Sequence, residues 1–206
     1  MVILLVLIMF GLYGIFHSIL ASQAMKTAIR ERVGDRAYYG FYRAFYNIVA
    51  LITLIPIFWV LAENPGGTVY TLDDRWAEVI LGMEWVGRIG VVVAVLQIDA
   101  LRFIGLRQII AYFRGTTLPL PDEDLTTAGL YRVVRHPLYL FSLFIVWSSL
   151  SMNAATFALN LGITLYFLVG SIYEERRMVQ GYGQSYRDYQ AQVPWMIPML
   201  RVGNKN

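Results

Sequence analysis

Two short polar stretches hold most of the chemistry available to this chain. Arg135-His136-Pro137 sets one of only two histidines beside an arginine at the head of an apolar run. Tyr173-Glu174-Glu175-Arg176-Arg177-Met178 closes the apolar run that follows. Pro137 suits the first position of a helix, where its missing N–H costs nothing. The free N–H groups of that helix start favour an anion such as a carboxylate, and Arg135 adds a bidentate donor for it. The plainer alternative is that Arg135 snorkels to lipid headgroups while His136 only caps the helix. The glutamates weigh against it, because two acids at the C-terminal end of a helix sit at the negative pole of its dipole. They call for cations, from Arg135, Arg176 or Arg177, or from a positively charged ligand. Adjacent helical residues diverge by about 100°, so one glutamate can pair with an arginine while the other faces a ligand. Tyr131, Tyr139, Tyr173, Trp147 and Tyr182 offer cation–π faces, although for most of them an interfacial aromatic belt is the simpler reading.

The elements that position these stretches are membrane spans. Hydrophobic residues make up 57% of the 206 and charged residues 15%, and the apolar residues fall in blocks, as in an integral membrane protein. The blocks predict about five transmembrane helices at Met1 to Leu20, Ala44 to Ala62, Trp85 to Leu101, Pro137 to Asn153 and Ala154 to Tyr173. A cleaved signal peptide is the rival for the first, but no Lys or Arg precedes it and Lys26, Arg30, Arg32 and Arg36 follow it. Gln97 and Asp99 fall inside the third span, where they are costly unless they face protein or water. Residues 102–125 read as an interfacial amphipathic connector, with a stiff Pro-rich stretch at 116–121. The last two spans form a tight helical hairpin turning near Ser151-Met152-Asn153. The whole is a single all-α membrane domain over 1–206: an N-terminal part (1–101), the connector (102–125) and a hairpin with its tail (126–198).

An odd number of spans puts the termini on opposite sides. With the N-terminus outside and the C-terminus inside, the segments around 21–43, 102–136 and 174–206 are cytoplasmic and hold every Lys and Arg except Arg75 and Arg88. The positive-inside rule selects that orientation, and both polar stretches then meet at the cytoplasmic face. The formal charge of +3 is accounted for in this way, by topology and lipid headgroups rather than nucleic acid. There is no cysteine, which excludes disulfides, thiolate metal sites and a cysteine nucleophile. Two widely separated histidines make a catalytic metal site unexpected.

Gly129-Leu130-Tyr131, then Arg135-His136-Pro137 and Tyr139, a helical hairpin, Glu174-Glu175 and Met178, then Tyr182-Gly183 with Tyr186 and Tyr189 form a pattern that resembles the isoprenylcysteine carboxyl methyltransferase superfamily. These are integral membrane enzymes that include phospholipid N-methyltransferases. Shorter matches at residues 17–22, Tyr46-Asn47 and 105–108 are similar to the methanethiol S-methyltransferase branch. The resemblance implies S-adenosylmethionine as cofactor and Tyr131, Arg135, His136, Pro137, Tyr139, Glu174 and Glu175 as its binding residues. It implies Arg135 at the cofactor carboxylate, His136 against the cofactor at the helix start, Glu175 at its ammonium group and Glu174 holding Arg135 or Arg132. For a thiol acceptor, His17 and Asp99 are the candidate bases, with a helix cap or a hydrogen-bonded interfacial residue as the equal alternative for His17. The function expected is S-methylation of a small thiol such as methanethiol, at the cytoplasmic face of a bacterial inner membrane. The alternatives are carboxyl methylation of a prenylated cysteine, N-methylation of a phospholipid, an NADPH-dependent lipid or sterol reductase, and a non-catalytic assembly or transport protein. No dinucleotide fingerprint supports the reductase. Expected partners are a small or lipid-borne acceptor and membrane lipids, with no nucleic acid.

Overall fold

The computed structural model describes residues 1–199. Residues 200–206, assigned by sequence to the cytoplasmic tail, lie outside the described residues. The chain is an all-α integral membrane protein. Among the described residues, four helices long and apolar enough to cross a membrane lie within Val2–Ala21, Asp35–Glu63, Asp74–Leu96 and Ala154–Tyr182. Most of their apolar side chains, such as Leu12, Leu51, Trp59, Ile89 and Val169, point outward. That is the expected surface for a helix solvated by lipid tails. Two compact units are woven from the chain, one of 1–67, 99–123 and 154–159, the other of 68–98, 124–153 and 160–199.

The first unit holds α1 (Val2–Ala21), α2 (Gln23–Val33), α3 (Asp35–Glu63), α5 (Ala100–Ile104) and α6 (Leu106–Phe113). Ser22 ends α1 by donating to the Ile19 carbonyl, and caps α2 by accepting from Met25 N–H at 3.3 Å. The Tyr42 hydroxyl donates to the Leu20 carbonyl at 2.6 Å and ties α3 to α1. Gly105 is required between α5 and α6: its φ is +95°, and a Cβ there would lie 2.5 Å from the Ala44 nitrogen. The predicted connector is therefore not one amphipathic helix but a broken pair of short ones.

The second unit holds β1 (Thr68–Thr71), α4 (Ala77–Leu96), α7 (Pro137–Trp147), β2 (Ser151–Asn153), most of α8 (Ala154–Tyr182) and α9 (Gln184–Gln192). The third predicted span is shifted: α4 runs 77–96, so Gln97 and Asp99 lie beyond the helix rather than within it. Glu84 and Arg88 inside α4 are paired at 2.5 Å, one turn apart, which offsets the cost of charge at that depth.

The fourth predicted span also differs. Helix α7 has 11 residues, about 16 Å of rise; residues 148–150 turn out of it, and β2 then pairs antiparallel to β1. Helix α7 runs antiparallel to α4, since Gly90 faces Phe141 and Gly87 faces Ile145. The turn of the expected hairpin is thus a strand, with Thr68 opposite Asn153 and Thr71 opposite Ser151. Helix α8 then runs 29 residues to Tyr182, nine beyond the predicted end.

A Cβ on Gly90 would lie 2.2 Å from the Phe141 ring, whereas one on Gly82 would meet nothing within 4 Å. Gly90→Ala should therefore lower the melting temperature in detergent, at a cost of about 1–3 kcal/mol from overpacking, while Gly82→Ala should leave it unchanged or slightly raised. A Gly90→Ala protein that melts with the wild type would show that α4 and α7 are not closely packed.

Candidate functional site

The two polar stretches meet within the second unit, and the residues between and after them explain how. Gly129–Arg132 forms a short 3-10 turn. Its Leu130 N–H donates to Gln97 Oε1 at 2.9 Å, and Gly129, with φ +60°, leaves no room for a Cβ against that amide. The Gln97 side chain thus fixes the turn that leads into Arg135. Pro137 stands at the first position of α7, as its fixed φ predicts.

Glu175, on α8, is the centre of the cluster. Its Oε1 accepts from Arg135 Nε at 2.8 Å, from His136 Nε2 at 2.7 Å and from the Tyr186 hydroxyl at 2.9 Å. Its Oε2 accepts from Gln190 Nε2 at 2.5 Å. The side chains of Arg135 and Glu175 are each only 11% exposed, so this is a buried ion pair supported by further hydrogen bonds on both carboxylate oxygens, the condition under which burial of charge is tolerated. Arg135 Nη1 goes on to the carbonyls of Gln190 (3.1 Å) and Val193 (2.6 Å). The Arg135 backbone N–H donates to the Pro194 carbonyl at 2.9 Å, and that of His136 to the Trp195 carbonyl at 3.2 Å. The Tyr189 hydroxyl donates to the Tyr131 carbonyl.

Glu174 is placed differently. Its Oε2 accepts from the Tyr139 hydroxyl at 2.8 Å and lies 3.6 Å from His136 Nδ1. Its side chain is 29% exposed, and its Oε1 accepts no hydrogen bond among the described residues. Because His136 Nε2 must carry a hydrogen to bond a carboxylate, Nδ1 is the nitrogen left toward Glu174. The His136 and Tyr139 rings stack in parallel at 5.4 Å, and Tyr139 stacks on Phe167 at 4.7 Å. Burial, and secondarily Glu174, push the Tyr131 phenol up to about 12. Burial and then Glu175 raise the Tyr186 phenol too, so it stays a hydrogen-bond donor throughout the neutral range. A shallow depression of about 320 Å³, lined by Glu175, Arg176, Val179, Gln180 and Gln190, borders the cluster.

Six of the seven residues named from sequence as cofactor-binding are brought together by these bonds and stacks, and Pro137 lies buried beside them at the start of α7. The expected pairing of Arg135 with Glu174 is made instead by Glu175. The helix dipole does not bear on the glutamates as expected: α8 continues to Tyr182, and the macrodipole acts only over the last turn. What compensates Glu175 is the ring of donors.

His17 and Asp99 belong to the other unit. His17 is buried in α1, its ring 4.1 Å from Tyr46 and 5.6 Å from Tyr13. Asp99 caps α5 by accepting from Arg102 N–H at 3.0 Å and pairs with Arg107 at 2.6 Å. Gln190, Gln97 and the carbonyls of 193–195 are site members to which sequence reasoning gave no role in the site, and Tyr186 entered it only within the resembling pattern. For the α9 pair a signal existed, since 186, 190 and 193 recur at helical spacing on one face.

The family model for phospholipid methyltransferase matches residues 79–185, which takes in α4, the Arg-His-Pro stretch, α7 and the glutamate pair. Methanethiol S-methyltransferase 2 of Bradyrhizobium diazoefficiens is 30% identical over 96% of this chain and 74% of its own length. The methanethiol S-methyltransferases of Pseudomonas deceptionensis and Mycobacterium tuberculosis are 29% and 28% identical, over 92% and 93% of this chain and 70% and 76% of their own lengths. No solved structure matches significantly. With a charged cluster built inside the matched region and relatives alike over nearly the whole chain, this protein belongs to the phospholipid methyltransferase family and is a membrane methyltransferase.

Proposed function

We propose that this chain methylates a small thiol, methanethiol being the acceptor we favour, with S-adenosylmethionine as donor and at the cytoplasmic face of a bacterial inner membrane. The observation that carries the reading is the convergence of Arg135-His136 and Glu174-Glu175 into one partly buried cluster. The thiol is supported by the names of the relatives. The cytoplasmic face is supported by the distribution of Lys and Arg about the spans.

The donor set fits the cofactor. A zwitterionic amino-acid group needs a carboxylate with spare acceptor capacity, and Glu174 has it. It also needs a cation, for which the exposed Arg132 and Arg177 are available. The Tyr139 ring, held by Phe167 and His136, supplies an aromatic wall. When bound, S-adenosylmethionine supplies an electrophilic methyl group on a sulfonium. What remains for the chain is to orient donor and acceptor in line and to keep water out. Glu174 would hold the ammonium group and Tyr139 would hold Glu174. Arg135 and His136, fixed by Glu175, would set the floor of the site.

Removing the thiol proton is the remaining chain-borne step. Asp99 is committed to Arg107 and the α5 cap, and His17 lies between Tyr13 and Tyr46 in the same unit, so neither is assigned this step.

A second acceptor, a phospholipid amine, is favoured by the family description alone. The donor is tested most simply by melting. Purified protein in detergent should be stabilised by S-adenosylhomocysteine and not by NADPH, and the reverse pattern would overturn the proposal.

A further inference from the structure

We infer that Tyr186 and Gln190, on α9, are positioning residues of the donor site that act through Glu175 and do not touch the ligand. The inference rests on the cluster being the donor site. Glu175 takes four donors from the protein, Arg135, His136 and Tyr186 on Oε1 and Gln190 on Oε2. Glu174, with one protein donor and greater exposure, is the better partner for a ligand ammonium group, and the role of Glu175 is to orient its donors.

Two of those donors come from the first polar stretch and two from α9, which makes Glu175 the joint between them. The same helix and the turn after it hold Arg135 from behind, through the carbonyls of Gln190 and Val193 on the side chain and Pro194 on the backbone. The consequence reaches Glu174 through His136. With Nε2 on Glu175, the ring stacks flat on Tyr139 and presents Nδ1 toward Glu174. Removing the Tyr186 hydroxyl or the Gln190 amide lets the Glu175 carboxylate rotate, which frees His136 and disturbs the Tyr139–Glu174 pair that faces the ligand.

The test uses Tyr186→Phe and Gln190→Met in the full-length protein, each also in a Glu175→Gln background. Two readouts are needed: S-adenosylhomocysteine affinity by calorimetry, and the ring ¹⁵N resonances of the only two histidines. Each single variant should weaken affinity about five- to tenfold, less than the direct loss of a hydrogen bond to a charged group because the effect reaches the ligand only through Glu175 and His136, and should shift the His136 signals while those of His17 stay still. In the Glu175→Gln background the same substitutions should change affinity less than twofold, since the group they act through is already altered. Full losses in that background would mean direct ligand contact and overturn the inference. So would unshifted His136 resonances in both single variants. If the wild type fails to bind S-adenosylhomocysteine, the donor-site reading falls, and with it the inference as a statement about a donor site. His136 shifts without wild-type binding would then mark that failure as one of function and not of positioning.

Discussion

Replacing Arg135 with leucine should lower stability by about 3–5 kcal/mol and abolish donor binding. The side chain is buried against an equally buried Glu175, and removing one partner of such a pair leaves an uncompensated charge in a medium that solvates it poorly. The same substitution strips the carbonyls of Gln190 and Val193 of their donor, so the segment after α9 loses its anchor too. Arg135→Lys should fall between: the charge survives, but one ammonium cannot serve a carboxylate and two carbonyls in the geometry of the guanidinium fork. Thermal unfolding in detergent checks both variants, and an Arg135→Leu protein that melts with the wild type would refute the buried pair.

Glu174→Gln and Glu175→Gln should separate cleanly, although the residues are adjacent. Glu174 has one protein donor, Tyr139, and stands partly exposed. Its substitution should leave the melting temperature nearly unchanged and weaken donor binding about 10- to 100-fold, the worth of one hydrogen bond between charged groups. Glu175→Gln removes the counter-charge of Arg135 and should lower both melting temperature and affinity. Binding lost at Glu175 with stability intact, and binding retained at Glu174, would put the ammonium group at Glu175 instead.

The long apolar blocks made α1, α3 and α8 legible in the sequence, because a run of about twenty apolar residues has few other uses. The shortness of α7 was not legible: Ser148 to Asn153 mixes three serines and an asparagine with Leu150 and Met152, which signals a turn but does not reveal a strand whose partner lies some eighty residues away. The end of α8 was placed too early for a related reason. Charges at 174–177 look like the edge of a membrane span, yet Glu, Arg, Met and Gln are strong helix formers, and the helix carries on through the interface to Tyr182.

Within the site, the meeting of Arg135-His136 with Glu174-Glu175 could be read from topology alone. Which glutamate takes the arginine could not, since that depends on a rotation of about 100° around α8 and on donors from α9. Gln97 shows the limit in another form. As an isolated polar residue near a span it signalled only a cost, and its use became visible once the Leu130 N–H was found beside it.

The central claim is that this cluster binds the methyl donor for a small thiol. It is tested most directly by incubating the purified protein with S-adenosylmethionine carrying a labelled methyl group, offered in parallel with methanethiol, a prenylated cysteine and phosphatidylethanolamine. The expected result is label in dimethyl sulfide, lost in Glu174→Gln at donor concentrations that saturate the wild type. Label appearing only in the phospholipid or the prenylcysteine would contradict the thiol, and methyl transfer undiminished in Glu174→Gln would contradict the site.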